Sequence, residues 1–217
     1  MNLSNKNIID NISINYHASI RMEKKGVIIY VDPYKIKNVK NDADYIFITH
    51  KHYDHFSPID IMKVLNDTTK FIVPKDLKEE LINLGVLNSN IILVKPNEIY
   101  NLKNISFEVI KAYNINKEYH KKEYNWVGYN ISIDNVKYYV VGDSDIIPEM
   151  DNILCDVLFV PVGGTYTMDY KDAILLANKL KPRYAIPVHY GKVGSICEAR
   201  KLVENIDTNI NAIIIGD

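Results

Sequence analysis

The sequence predicts an α+β protein in which two β-sheets pack together and carry helices on their outer faces. Three observations predict it. Short runs rich in β-branched and aromatic residues recur along the 217 residues, as strands require. Strand-rich blocks are each followed by strand–helix units, the pattern of packed sheets with outer helices. No low-complexity tract, Gly/Pro/Ser-rich linker or solenoid repeat interrupts them. One domain spanning residues 1–217 is therefore expected.

The first third is mostly strand. Residues 11–16 and 19–23 flank a bend at His17-Ala18, and residues 26–31 form an apolar run ending at Asp32-Pro33. Residues 44–49 read as a buried strand. A helix over 58–65 starts on Pro58, which suits a first helical turn. Residues 71–73 are a strand stopped by Pro74, and 75–84 a helix closed by Gly85. Strands follow at 91–94, 99–101 and 105–112. Residues 126–133 and 136–141 form a hairpin around Asp134-Asn135. After a continuous apolar strand at 157–162, residues 169–180 place Ala173, Ile174, Ala177 and Leu180 at helical spacing. Lys179, Lys181 and Pro182 mark the end of that helix. A buried strand at 184–188, a helix at 196–203 and a strand at 212–215 complete the chain.

Apolar residues at 47% with 24% charged suffice for a sizeable core. A net charge of −1 gives no general attraction to nucleic acid. Met1 to Lys6 lacks the basic start and apolar run of a secretory leader. No stretch approaches the roughly 18 unbroken apolar residues of a membrane span. Cys155 and Cys197 read as two reduced structural thiols. The expectation is a cytoplasmic protein acting on a small molecule, with no nucleic-acid or membrane partner.

The chemistry concentrates at His50-Lys51-His52-Tyr53-Asp54-His55, three of the chain's six histidines and an aspartate spaced H-x-H-x-D-H. Imidazole is the commonest protein ligand for zinc and similar metals, and a carboxylate adds a charged oxygen donor. Packing gives no reason to crowd these residues. The cluster follows a buried strand, so it occupies a loop where ligands are usually mounted. His189 ends the run Ala185-Ile186-Pro187-Val188, and Asp143 ends Val140-Val141-Gly142. Taken alone, His189 reads as either a ligand or a satisfied core histidine, and Asp143 as either a ligand or a turn cap.

Together these segments resemble the metallo-β-lactamase superfamily, whose hallmark is the H-x-H-x-D-H loop. More narrowly, the chain is similar to small metal-dependent hydrolases that include ascorbate-6-phosphate lactonase-like proteins. The resemblance also runs through His17-Ala18-Ser19, Val31-Asp32-Pro33, Trp126-Val127-Gly128-Tyr129, Gly142-Asp143-Ser144-Asp145, residues 161–168 and residues 186–191. It implies a four-layered αββα sandwich and two divalent metal ions, zinc first, with manganese or iron as alternatives. It implies that His50 and His52 bind one metal, that Asp54, His55 and His189 bind the other, and that Asp143 bridges them. A water or hydroxide between the metals is the implied nucleophile, with Asp54 both ligand and catalytic residue.

The superfamily usually adds a third histidine to the first metal, from a loop between the cluster and the bridging aspartate. Here the expected spot holds Tyr113-Asn114, and the only histidine in the interval is His120, which takes the assignment, with Asn114 as the alternative. His17 is placed at the rim, binding substrate or a ligand carboxylate, or else pinning the bend. Gly164, beside Gly163, is expected to offer backbone N–H groups to an anionic substrate or simply to form a tight turn. Tyr166 and Thr167 are placed at the pocket wall, Thr167 also being suited to cap the next helix. The implied activity is hydrolysis of a small ester, lactone or phosphoester. The rivals are a non-catalytic metal-binding or ligand-sensing protein and, further off, a nuclease.

Overall fold

In the computed structural model, which describes residues 8–191 and 193–216, two sheets lie face to face. The leader expectation at Met1 to Lys6 falls outside the described residues. The first sheet runs in chain order through β1 (Ile12–Tyr16), β2 (Ser19–Lys24), β3 (Val27–Val31), β4 (Tyr45–Phe47), β5 (Lys70–Pro74) and β6 (Ile91–Val94). The second runs through β7 (Ile99–Asn101), β8 (Ser106–Lys111), β9 (Val127–Ile133), β10 (Val136–Val140), β11 (Val157–Pro161), β12 (Tyr184–Val188) and β13 (Asn211–Ala212). Each sheet opens with antiparallel strands and ends with three parallel pairings, from β3 in one and from β10 in the other. Parallel pairing needs crossovers, and helices supply several of them.

Helices α1 (Pro58–Val64) and α2 (Lys78–Asn83) cover the outside of the first sheet, and α3 (Tyr170–Leu180) and α4 (Ile196–Asn205) the outside of the second. Alternation along the strands decides which side chains go where. Ile20, Met22, Ile29, Val31 and Phe47 meet Phe107, Tyr129, Ile131 and Phe159 between the sheets. Tyr30, Ile46 and Phe71 point instead toward α1 and α2, while Tyr139, Leu158 and Val160 point toward α3 and α4. The result is the four-layered αββα sandwich.

Local chemistry accounts for most boundaries. Asp134 and Asn135 both take positive φ, +51° and +63°, as the tightest hairpin turn demands. Helix α4 carries a capping box between Ser195 and Glu198. Helix α3 is capped by Asp169, which accepts from the N–H groups of Lys171 and Asp172, so the capping role does not fall to Thr167. The expected helix over 75–84 is a 3-10 turn, Lys75–Leu77, running into α2. The last strand pairs only at Asn211–Ala212, because the chain then leaves for the first sheet, where Gly216 lies against the Ile14 backbone. Cys155 and Cys197 are both free thiols.

Candidate metal centre

The site collects at one rim, where strands run out. His17 turns β1 into β2, Asp32 follows β3, and His50, His52, Asp54 and His55 follow β4. From the second sheet, His120 lies between β8 and β9, Asp143 follows β10, and His189 follows β12. Tyr129 ties the two sheets together at this rim, its buried hydroxyl donating to the carbonyls of Ile48 (2.7 Å) and Ile72 (3.2 Å).

Among the described residues, three potential metal-holding groups form: His50–His52–His120, His50–His55–Asp143, and His17–Asp54–His189. In the first, His50 Nε2 lies 3.1 Å from His52 Nδ1 and 3.3 Å from His120 Nε2. Four ligands at about 2.05 Å from a tetrahedral zinc would stand about 3.3 Å from one another, so these spacings fit a cation. Asp143 is the hub. Its Oδ2 lies 3.0 Å from His189 Nε2 and 3.2 Å from His120 Nε2, and its Oδ1 lies 3.3 Å from His55 Nε2.

Asp32 explains why these rings face inward. Its carboxylate accepts from Thr49 N–H (2.8 Å), the Thr49 hydroxyl (2.7 Å) and His55 Nδ1–H (2.7 Å). Having given its proton to Asp32, the Thr49 oxygen accepts from His50 Nδ1–H at 2.9 Å. The network thus assigns the protons of His50 and His55 to Nδ1 and leaves each Nε2 lone pair turned toward Asp143. Acceptors facing a carboxylate in a buried cleft call for a positive ion between them. Among the described residues, the atoms His55 Nε2, Asp143 Oδ1 and both ring nitrogens of His189 are buried without a hydrogen-bond partner. The donor set fits divalent cations.

The electrostatics agree. Burial lowers the pKa of His50 well below its ordinary value, helped by His55, so it stays a neutral ligand. Burial would raise the Asp143 carboxyl, but His189, His55 and His120 around it hold it well below the usual range. Burial would likewise lower His55, yet Asp143 and Asp32 on either side raise it well above normal.

Every expected ligand is brought to this cleft. Asn114 stands behind His120, with its amide 3.3 Å from the ring's Nδ1, on the side away from the cluster. That amide also donates to the carbonyls of Tyr119 (3.1 Å) and Tyr166 (2.6 Å), tying loop to wall. The His17 side chain is fully buried and does not line the cleft, so of the placements expected for it the one beside a ligand carboxylate matches the geometry: its Nε2 lies 3.5 Å from Asp54 Oδ2. Gly164 does not offer a free N–H either: it donates to the Met168 carbonyl at 3.2 Å, closing the turn on itself. Its neighbour Gly163 has the structural part, since a Cβ there would fall 2.9 Å from His189 Nδ1 and 2.7 Å from its carbonyl. Tyr166 does line the cleft, a space of about 340 Å³ shared with Tyr53, Tyr119, Asp54, Asp143 and Val193.

The sequence reading missed Asp32, Trp126 and Tyr119. Asp32 carried a usable signal, an aspartate ending a buried apolar strand, as Asp143 does. Trp126 packs its indole 4.8 Å from both the His50 and His52 rings and donates Nε1–H to Asp76 at 3.0 Å. Nothing local in the sequence announces that packing.

Comparison with known proteins agrees with the fold. Residues 11–189 match the family model described as a beta-lactamase superfamily domain. A UPF0173 protein of Pyrococcus abyssi is 32% identical over 184 residues, covering 82% of each chain. A UPF0173 metal-dependent hydrolase of Carboxydothermus hydrogenoformans is 29% identical, over 80% of this chain and 81% of its own. Among solved structures, a protein of Parabacteroides distasonis named as a metal-dependent hydrolase superimposes with a TM-score of 0.81 at 27% identity, covering 94% of this chain and 91% of its own.

Proposed function

The chain belongs to the metallo-β-lactamase superfamily, and on that premise we propose that its cleft holds two divalent cations and hydrolyses a small ester, lactone or phosphoester. One observation carries the reading: the Nε2 atoms of His50 and His55, oriented through Asp32 and Thr49, converge with those of His120 and His189 on the one carboxylate of Asp143. His50, His52 and His120 would hold one cation, Asp54, His55 and His189 the other, with Asp143 between. Cations held by these residues would lower the pKa of water toward neutrality and stabilise negative charge growing on a substrate oxygen. A histidine-rich donor set favours zinc, with manganese or iron as alternatives.

The remaining work falls to the chain's own groups. Asp54 lines the cleft, where its carboxylate oxygen can accept a hydrogen bond from the attacking water and orient it. Tyr119 and Tyr166 meet edge to face at 4.8 Å and form an aromatic wall for the organic part of the substrate. The cleft's size suits a small molecule rather than a nucleic acid.

The test is chelator-stripped protein reloaded with Zn²⁺, Mn²⁺ or Fe²⁺ and assayed on lactones, esters, phosphodiesters and phosphomonoesters. Turnover should return with metal and vanish in folded Asp54→Ala. Tight metal uptake with no turnover across the panel would instead make this a metal-binding protein.

A further inference from the structure

His17 is the one site histidine without an assigned task, and its surroundings are specific. It sits at the β1–β2 turn with φ +58°, and its carbonyl accepts the N–H of His189 at 3.0 Å; His189 itself has φ +60°. Left-handed backbone is unfavourable for residues with a Cβ and persists only where the surroundings enforce it. Here the enforced bend and the backbone bond bring the two imidazoles to a centroid separation of 3.8 Å.

The direction of one hydrogen bond settles the state of the His17 ring. Nδ1 lies 3.2 Å from the Tyr190 carbonyl, which can only accept, so Nδ1 carries the hydrogen. In the neutral ring Nε2 is then a lone pair. Among the described residues it is buried without a hydrogen-bond partner, and it faces Asp54 Oδ2 at 3.5 Å. A charge-assisted N–H···O bond would close to about 2.7–2.9 Å, so a shared proton does not account for the gap. Two acceptors held apart in this way, with both His189 nitrogens also unpartnered, leave a position shaped for a cation. His17 lies behind Asp54 and His189 rather than on the cleft surface, so it is out of the substrate's reach.

We propose that His17 is a ligand of the second divalent cation, joining Asp54 and His189 through its Nε2, rather than a substrate contact. The inference rests on the two-metal reading above and deepens it: the second position takes a donor from the first hairpin as well as from the H-x-H-x-D-H loop.

The test measures metal, not turnover. Stripped protein is titrated with Co²⁺ or Zn²⁺, and bound metal is counted by elemental analysis after gel filtration. Trp126, the only tryptophan, sits against His50 and His52, so its fluorescence follows the first position separately. His17→Asn is the preferred variant, because asparagine tolerates left-handed backbone and keeps an amide donor for Tyr190. His17→Ala and His120→Ala accompany it, each checked for an unchanged melting transition. Wild type should bind two equivalents. His17→Asn should retain the equivalent seen by Trp126 and bind the other at least about 10-fold more weakly, whereas His120→Ala should show the reverse. Two equivalents bound with wild-type affinity by His17→Asn would overturn the ligand role while leaving the metal pair standing. A wild type that binds one equivalent, lost in His120→Ala and kept in His17→Asn, would overturn both.

Discussion

The two sheets share a plan, antiparallel strands leading into three parallel pairings, yet they deliver their functional groups differently. The first packs His50, His52, Asp54 and His55 into one loop after β4 and braces them with Asp32 from the neighbouring strand end. The second contributes singly: His120, Asp143 and His189, each from a different strand end. A contiguous loop fixes its own internal geometry. Scattered residues depend on the whole sandwich to meet, and His120 and His189 both do so from left-handed backbone, φ +56° and +60°. The first half therefore supplies the donors, and the second decides where they close.

That division can be broken most severely at Asp143, the hub where both halves meet. Asp143→Ala should lower metal affinity by more than about 100-fold, read as metal content after dialysis, because it leaves four imidazoles without their shared carboxylate. Asp32→Asn should cost about 10–100-fold in metal affinity with the fold retained. It removes the negative acceptor that holds His55 and, through Thr49, His50. An equal loss from both positions would support its bracing of the whole loop, and a loss confined to one would limit it to the ring it touches.

The next test bears on the first half alone. Asp60 in α1 accepts from Lys63, Ser57 and the N–H groups of Lys35 and Ile36, anchoring the segment between β3 and β4. Burial would raise its pKa, but bonds from Lys63, Ser57 and Lys35 together hold it below its ordinary 3.8. Because the folded value is the lower one, Asp60 stabilises the fold above the unfolded pKa, and that contribution disappears as pH falls below about 4. Asp60→Asn should cost about 1.5–2 kcal/mol near neutrality by urea unfolding, with the gap to wild type shrinking toward pH 3. A gap that widened in acid would reverse the sign. The smallest effect is expected at the seam. Tyr129→Phe should cost about 1 kcal/mol, seen as a lower melting midpoint, by taking the hydroxyl donor from the Ile48 carbonyl, whereas the Ile72 carbonyl keeps the Ile48 N–H at 3.0 Å.

The same contrast explains what the sequence revealed. Most strands were legible because buried runs such as residues 157–161 and alternating ones such as 19–24 carry their own period, and the Asp134-Asn135 hairpin announced itself by turn chemistry. Within the cleft, the loop after β4 could be read from spacing alone. Asp143 and His189 needed the resemblance, since a single residue at a strand end has several ordinary uses. The burial of His17 and the packing of Trp126 against two imidazoles were illegible, because each depends on contacts between segments far apart in the chain. His17, for example, touches Tyr190 across 173 positions.

The Asp32 carboxylate has one more consequence. It serves His55 directly and His50 through the Thr49 hydroxyl, so donors assigned to different cations share one counter-ion. On the two-cation reading proposed above, occupancy of either position would change the basicity that the other experiences, and by linkage the effect would be reciprocal: the factor by which the first ion altered the second's affinity would equal the factor by which the second altered the first's. On the proposed two-cation reading, a substitution at residue 32 would therefore be felt at both positions.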